Sequence, residues 1–207
     1  MLNRSVTVLG RANSLNVRKV MWCAAELGLA VAREDYGRGA RPTDGEEFLA
    51  KNPNGKVPVL VHGNAVLWES NTIVRYLCAA FGGRHIPSDP LERALCERWM
   101  DWQLGTLQVA MSGLFHEMVV APGSVPADQL AQAQAQTAAL MTMLDAALTQ
   151  EFLAGRQLTA ADFAVAPKVH RYLKLVAAPP PLPNLFGYYR RLAARPAFAA
   201  HVGFAAP

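Results

Sequence analysis

A change in composition near residue 82 constrains the fold of this chain more than any other feature. Of its 207 residues, residues 1–81 contain 7 of the 8 asparagines but only 10 of the 35 alanines. Asparagine favours turns and alanine favours helices, so a turn-rich unit should precede a helical one. The join at 82–90 contains two glycines and two prolines, which is typical of an inter-domain linker. We therefore predict two domains, at 1–81 and 91–207.

The hydrophobic spacing of the first domain alternates between strand and helix patterns. The predicted elements are a strand at 6–9, a helix at 15–27, a strand at 31–36, a short helix ending at 52, a hairpin of strands at 58–61 and 65–68, and a helix at 70–81. In this βαβαββα order the first two strands should pair in parallel through a helical crossover.

The second domain has only helical patterns, so the whole chain is predicted to be an α+β two-domain protein with an all-α second domain. A capping box formed by Thr159 and Asp162 predicts the start of a core helix, which Pro167 should kink. The other predicted helices cover 91–118, 127–150, 185–194 and 196–204.

Composition excludes several functional classes. No uncharged stretch is long and apolar enough to span a bilayer, and the N-terminus lacks the pattern of a signal peptide, so we expect a cytoplasmic protein without membrane contact. The net charge of +4 is dispersed along the chain, which argues against nucleic acid as a partner. The three cysteines at positions 23, 78 and 96 have neither redox nor zinc spacing, and we expect no metal.

The first candidate site is the strand-to-helix turn that starts at Gly10. Ser14 stands where the helix N-cap should be, beside free backbone N–H groups and the positive end of the helix dipole. Such a turn stabilises a thiolate or another anion, to which the Ser14 hydroxyl can donate a hydrogen bond. The alternative is that Ser14 only caps its own helix.

Two further junctions carry polar groups. A strand that begins at Pro58 leaves the backbone of Val57 at a sheet edge, where it could pair with an extended peptide. The isomer of the Val57–Pro58 bond is left open by the sequence. At the start of the next helix, Ser70 is a predicted N-cap that could hold a carboxylate, while Glu69 could bind an ammonium group. The three junctions together suit a thiolate, a peptide backbone and a zwitterionic amino-acid end.

This combination resembles the glutathione site of cytosolic glutathione transferases, and the resemblance covers the whole chain. It implies a thioredoxin-like first domain that binds glutathione and a helical second domain that binds the acceptor substrate. The motifs that carry it are GRANSLNVRKV at 10–20, NPNGKVPVL at 52–60, LWESNTIVRYL at 67–77, RWMDWQ at 98–103, LTAADFAVAP at 158–167 and LPNLFGYYRRLAARPAF at 182–198.

The resemblance implies site residues one position at a time. Ser14 matches the serine that hydrogen-bonds the glutathione sulfur, and Asn16 matches a position that serves the thiol in some bacterial relatives, so the thiol partner stays open between them. The absence of a tyrosine near residue 9 and of a cysteine at residue 14 disfavours the tyrosine-type and cysteine-type classes. The implied binding set for glutathione, the co-substrate, is Lys56, Val57, Pro58, Glu69 and Ser70.

The implied function is conjugation of glutathione to a small hydrophobic electrophile in a cleft between the domains. The expected acceptor pocket consists of Arg11, Leu15, Met111, Phe115, His116 and Val119. A glutathione-dependent disulfide or peroxide reductase and a noncatalytic glutathione-binding protein are the alternatives. The resemblance also implies a homodimer, in which Asp101 would approach the glutathione of the partner subunit.

Overall fold

The computed structural model describes residues 4–203 and contains a mixed four-stranded sheet in the order β2-β1-β3-β4. Each predicted strand and helix of the first domain is present, with ends shifted by a few residues. The elements are β1 (Ser5–Leu9), α1 (Leu15–Glu26), β2 (Ala30–Glu34), α2 (Glu46–Leu49), β3 (Val59–His62), β4 (Ala65–Trp68) and α3 (Ser70–Phe81).

The strand register brings the three predicted junctions to the same end of the strands. β1 runs parallel to β2 and antiparallel to β3, and β3 runs antiparallel to β4. Leu9, the last residue of β1, is paired with Val59, the first residue of β3, and Val59 is paired with Trp68, the last residue of β4. The turn after β1, the residues before β3 and the start of α3 therefore emerge side by side.

The second domain is helical, as predicted. Its helices are α4 (Pro90–Trp102), α5 (Gln108–Phe115), α6 (Ala127–Ala147), α7 (Ala160–Leu175), α8 (Pro183–Ala193) and α9 (Pro196–Phe198). The helix predicted over 91–118 is interrupted by π-helical segments at Gln103–Leu107 and His116–Val120. Apolar spacing does not reveal such segments, because one wider turn barely alters the pattern. The predicted end of the last helix, Phe204, lies outside the described residues.

Helix α7 forms the centre of the second domain and begins with the predicted capping box. The buried Asp162 carboxylate accepts hydrogen bonds from the Thr159 amide at 2.8 Å, the Leu153 amide at 3.1 Å and the Tyr188 hydroxyl at 3.0 Å. Burial raises the pKa of Asp162 to about 6, against the opposing effect of these donors. All three donors are thus satisfied by one side chain.

The helical domain holds α1 along its length. The Trp22 ring of α1 lies edge-on to Phe163 of α7 and to Phe198, with centroids 4.7 and 4.9 Å apart. At the C-terminal end of α1, Glu26 accepts two hydrogen bonds from Arg195, at 2.6 and 2.7 Å. Within residues 4–203, no helix combines the length and apolar character that crossing a membrane requires.

Candidate functional site

A cleft of about 330 Å³ opens between the turn after β1 and the segment before β3, and its lining does not include Glu69 or Ser70 of the third junction. It brings together Ser14, Lys56 and Val57, which the sequence placed on separate segments. The cleft also contains residues that the sequence did not indicate, from the loop after β2. Its full lining is Arg11, Ser14, Gly37, Arg38, Thr43, Gly55, Lys56 and Val57.

Ser14 occupies the N-cap position of α1, but its side chain makes no capping hydrogen bond. Its backbone is extended, and its carbonyl accepts the first helical hydrogen bond from Arg18 at 2.9 Å. No acidic residue lies in the first turn of α1, so nothing there offsets the positive end of the helix dipole. The Ser14 hydroxyl is therefore available to a bound anion, whereas Asn16 lies half-buried in the first turn.

Close packing of the turn after β1 depends on Gly10, whose φ is +151°. A Cβ atom at this position would lie 2.5 Å from a methyl carbon of Val17 and 3.0 Å from the Cβ of Val57. Only glycine allows such an approach. The turn after β1, at residues 10–14, is called the thiol turn below. It and the segment before β3 are consequently packed against each other.

The segment before β3 is held by side-chain hydrogen bonds. The Asn52 carboxamide donates to the Lys56 carbonyl at 2.7 Å, and the Val57–Pro58 peptide bond is cis. Strand β3 begins only at Val59. Within the described residues, the Val57 amide and carbonyl make no backbone hydrogen bond, so both can face an extended peptide in the cleft.

The start of α3 differs from the prediction, because Glu69 rather than Ser70 is the N-cap residue. Glu69 has a φ of +68°, a conformation that residues other than glycine seldom adopt and that is frequent at functional sites. The Glu69 side chain is exposed, and Ser70 becomes the first helical residue. The Ser70 hydroxyl accepts a hydrogen bond from Lys19 at 3.1 Å.

Lys19 is the main residue that the sequence did not indicate. It is 1% exposed, and its ammonium group also donates to Asn71 Oδ1 at 2.6 Å and to Gln103 Oε1 at 2.9 Å. Burial lowers its pKa to about 7, while the Glu69 carboxylate acts in the opposite direction. Because Gln103 belongs to the first π segment, Lys19 connects the start of α3 to the helical domain.

The expected acceptor pocket is only partly present. Leu15 and Met111 are 5% and 1% exposed and lie in the hydrophobic core, so they do not line an open cleft. Helical spacing alone cannot separate a core stripe from a pocket wall, so the part of these two residues in an acceptor pocket stays a prediction. Phe115 is half-buried beneath the Arg171 guanidinium, whose central carbon lies 4.0 Å from the ring centroid.

The remaining predicted residues lie at the surface. His116 and Val119 are exposed on the second π segment. Asp101 is exposed and accepts a hydrogen bond from Arg75 of the same chain at 2.9 Å. Across residues 4–203 no group of three His, Cys, Asp or Glu side chains is arranged to hold a metal ion.

Two family models match the sequence. Residues 4–79 match the N-terminal domain of glutathione S-transferases, and residues 107–196 match the C-terminal domain. Glutathione S-transferase GstB of Escherichia coli K12 is 36% identical over 197 residues, which cover 93% of this chain and 95% of that protein.

Solved structures agree with this match over the full length of the chain. The theta-class glutathione S-transferase of Xanthomonas axonopodis pv. citri with glutathione bound is 38% identical, with a TM-score of 0.93 and complete coverage of both chains. Glutathione transferase E6 of Drosophila melanogaster is 26% identical, with a TM-score of 0.84, covering 96% of this chain and 91% of that one.

Proposed function

Because this chain belongs to the glutathione S-transferase family and is an enzyme of glutathione conjugation, we propose that Ser14 stabilises the glutathione thiolate which attacks the acceptor. One observation carries the proposal: the Ser14 hydroxyl faces no capping partner although it occupies the N-cap position, and it lines the cleft. Asn16, which lies two residues after Ser14 in α1, is the competing thiol partner.

The energy required is within reach of these groups. A free thiol with a pKa of about 8.5 is only about 3% ionised at pH 7. Lowering its pKa by about two units needs roughly 2.7 kcal/mol of preferential stabilisation of the thiolate. A charge-assisted hydrogen bond contributes roughly 1.5 to 3 kcal/mol, and a helix terminus adds roughly 0.3 to 1. Ser14 thus acts as a hydrogen-bond donor, and the nucleophile is the glutathione sulfur.

We further propose how the tripeptide is held. The Val57 amide and carbonyl pair with its cysteinyl unit, next to the cis Pro58, and Lys56 pairs with the glycyl carboxylate. At the other end, Glu69 binds the γ-glutamyl ammonium group and the start of α3 at Ser70 binds its carboxylate. Lys19 supports this end by holding Ser70 and Asn71 in place.

The acceptor is proposed to be a small electrophile whose apolar body rests near Phe115 and Val119, between the thiol turn and α5. Both side chains retain exposure, unlike the core residues Leu15 and Met111. The reaction requires the reactive carbon of the acceptor to come within reach of a thiolate at Ser14.

A cytoplasmic homodimer is the proposed state of the protein. Exposed apolar side chains occur on the edge strand β4, where Trp68 is 39% exposed, and on α4, where Leu91 is 69% exposed. Apolar surface of this kind is typical of subunit interfaces. The resemblance to the family predicts that β4 of one subunit contacts α4 of the other.

A pH titration of the ultraviolet absorbance of enzyme-bound glutathione tests the thiol assignment. In the wild type, we expect a thiol pKa of about 6.5, and Ser14→Ala should return it toward the free value of about 8.5. The matched variant Asn16→Ala should change it by less. A wild-type value near 8.5 would refute thiolate activation, and a loss of activation in Asn16→Ala alone would assign the role to Asn16.

A further inference from the structure

Buried basic side chains line the contact between α1 and α7. They lie beside the cleft that Ser14 lines, called the glutathione cleft below. Arg18 and Lys19 come from α1, and Lys168 and Arg171 come from α7. Each is at most 6% exposed. None of the ion pairs within residues 4–203 includes Lys168 or Arg171. Burial of a charge is costly unless an opposite charge accompanies it, so this arrangement needs an explanation.

Arg171 has unsatisfied hydrogen-bonding capacity. One face of its guanidinium covers the Phe115 ring at 4.0 Å, and its Nε is buried without a hydrogen-bond partner among the described residues. Burial, together with the like charge of Arg18, lowers the pKa of Arg171 to about 10. Lys168 differs, because its ammonium group donates to the Gln108 side chain. Arg171 therefore remains positively charged at neutral pH, and its Nε lacks an acceptor among the described residues.

A hydrogen bond connects Arg18, another member of this buried basic group, to the turn after β1. The Arg18 Nε donates to the Ala12 carbonyl at 3.1 Å. Ala12 lies between Arg11 and Ser14, and both of these line the cleft. The cleft lining itself contains Arg11, Arg38 and Lys56 but no acidic residue. The charged side chains of the cleft lining and of the buried basic group are thus all positive, and the Glu69 carboxylate acts on Lys19 among them.

The two carboxylates of glutathione do not account for Arg171. In the proposed complex its glycyl carboxylate pairs with Lys56, and its γ-glutamyl carboxylate lies at the start of α3. Arg171 instead lies at Phe115, on the side where the acceptor is proposed to bind. The group that accepts a hydrogen bond from Arg171 therefore belongs to the acceptor substrate.

We propose that the acceptor electrophile carries a carboxylate, which the Arg171 guanidinium binds while the Phe115 ring contacts the apolar body. The planar guanidinium matches a carboxylate, and Phe115 keeps it oriented. The proposal rests on the proposed conjugation function and names its substrate class. Arg171 is in this view a residue that determines specificity and does not act on the thiol.

A matched pair of acceptors tests this proposal. In 4-chloro-3,5-dinitrobenzoate and 4-chloro-3,5-dinitrobenzamide, the glutathione thiolate forms a C–S bond at the carbon that bears chlorine, and chloride leaves with the bonding electrons. We expect Arg171→Met to lower kcat/KM for the acid at least about tenfold more than for the amide, because a charge-assisted hydrogen bond is lost. Arg171→Lys should recover part of the preference. The control Arg190→Met removes an exposed arginine of α8 and should leave both values unchanged.

A second measurement needs no variant. In the wild type, 3,5-dinitrobenzoate should compete with the acceptor at a concentration at least about tenfold lower than 3,5-dinitrobenzamide. Equal losses for acid and amide in Arg171→Met, or equal inhibition by the two benzoyl compounds, would overturn the carboxylate proposal. Absence of conjugation with both chlorides in the wild type would instead contradict the proposed conjugation function.

Discussion

The polar side chains at the start of α7 are hydrogen-bonded in a capping box, whereas the hydroxyl at the start of α1 makes no capping hydrogen bond within residues 4–203. The Asp162 carboxylate accepts hydrogen bonds from two amides and the Tyr188 hydroxyl, and it is fully buried. Ser14 occupies the equivalent N-cap position of α1 without a capping hydrogen bond. The two junctions look alike in sequence, since each has a hydroxyl residue before an apolar helix. Saturated hydrogen bonding marks the element that supports the fold, and unsatisfied capacity marks the element that receives a ligand.

We call the start of α7 the saturated junction, because its polar groups are hydrogen-bonded within the protein. The largest expected effect tests this junction. Asp162→Asn places an amide nitrogen against groups that donate hydrogen bonds, and buried donors are costly to leave unpaired. We expect a loss of about 3 kcal/mol in the free energy of unfolding, measured by urea denaturation. The control Asp128→Asn changes an exposed residue in the first turn of α6 and should have little effect. Equal stability of the two variants would remove the distinction between the junctions.

The next effect concerns the start of α1, which we call the open junction. Ser14→Ala should change the free energy of unfolding by less than about 0.5 kcal/mol, because no capping hydrogen bond is lost, yet lower kcat/KM at pH 6.5 about tenfold or more. The matched variant Thr159→Ala should cost about 1 kcal/mol of stability and leave the thiol pKa unchanged. A Ser14→Ala protein as destabilised as Thr159→Ala would show that Ser14 is a structural cap.

The smallest expected effect concerns Lys19, which connects the open junction to the helical domain. Its folded pKa of about 7 lies below the unfolded value of about 10.5, so the unfolded chain binds more protons above pH 7 and stability rises with pH. Between pH 7 and 8 the free energy of unfolding of the wild type should rise by about 1 kcal/mol relative to Lys19→Met. The exposed Lys174→Met is the control. Parallel pH profiles for the wild type and Lys19→Met would show that Lys19 titrates normally.

Elements that depend on local chemistry are predictable from the sequence. The strands, the start of α1 after Ser14 and the capping box of α7 follow from hydrophobic spacing and turn residues, and the structure contains them. The domain boundaries at residues 81 and 91 and the roles of the site residues remain predictions. The meeting of Ser14, Lys56 and Val57 in one cleft follows from the pairing of β1 with β3, which joins segments that are distant in the sequence.

Each difference between the prediction and the structure has its own physical cause. Met111 and Leu15 were expected in a pocket because an apolar helical stripe suits a pocket and a core equally well. Ser70 was expected as an N-cap because its type favours that position, but Glu69 takes it with a positive φ. Lys19 was overlooked because lysine usually faces solvent. It nevertheless lies four residues after Leu15 and three before Trp22, on the buried stripe of α1, and that spacing was a usable signal.

The pair between Glu26 and Arg195 joins residues 169 positions apart in the sequence. During synthesis on a ribosome, α1 leaves the exit tunnel long before Arg195 is added. The far end of the helix that begins at Ser14 is therefore fastened only after Arg195 has emerged. A nascent chain that stops before Arg195 would carry the whole glutathione cleft on a helix that still lacks this attachment.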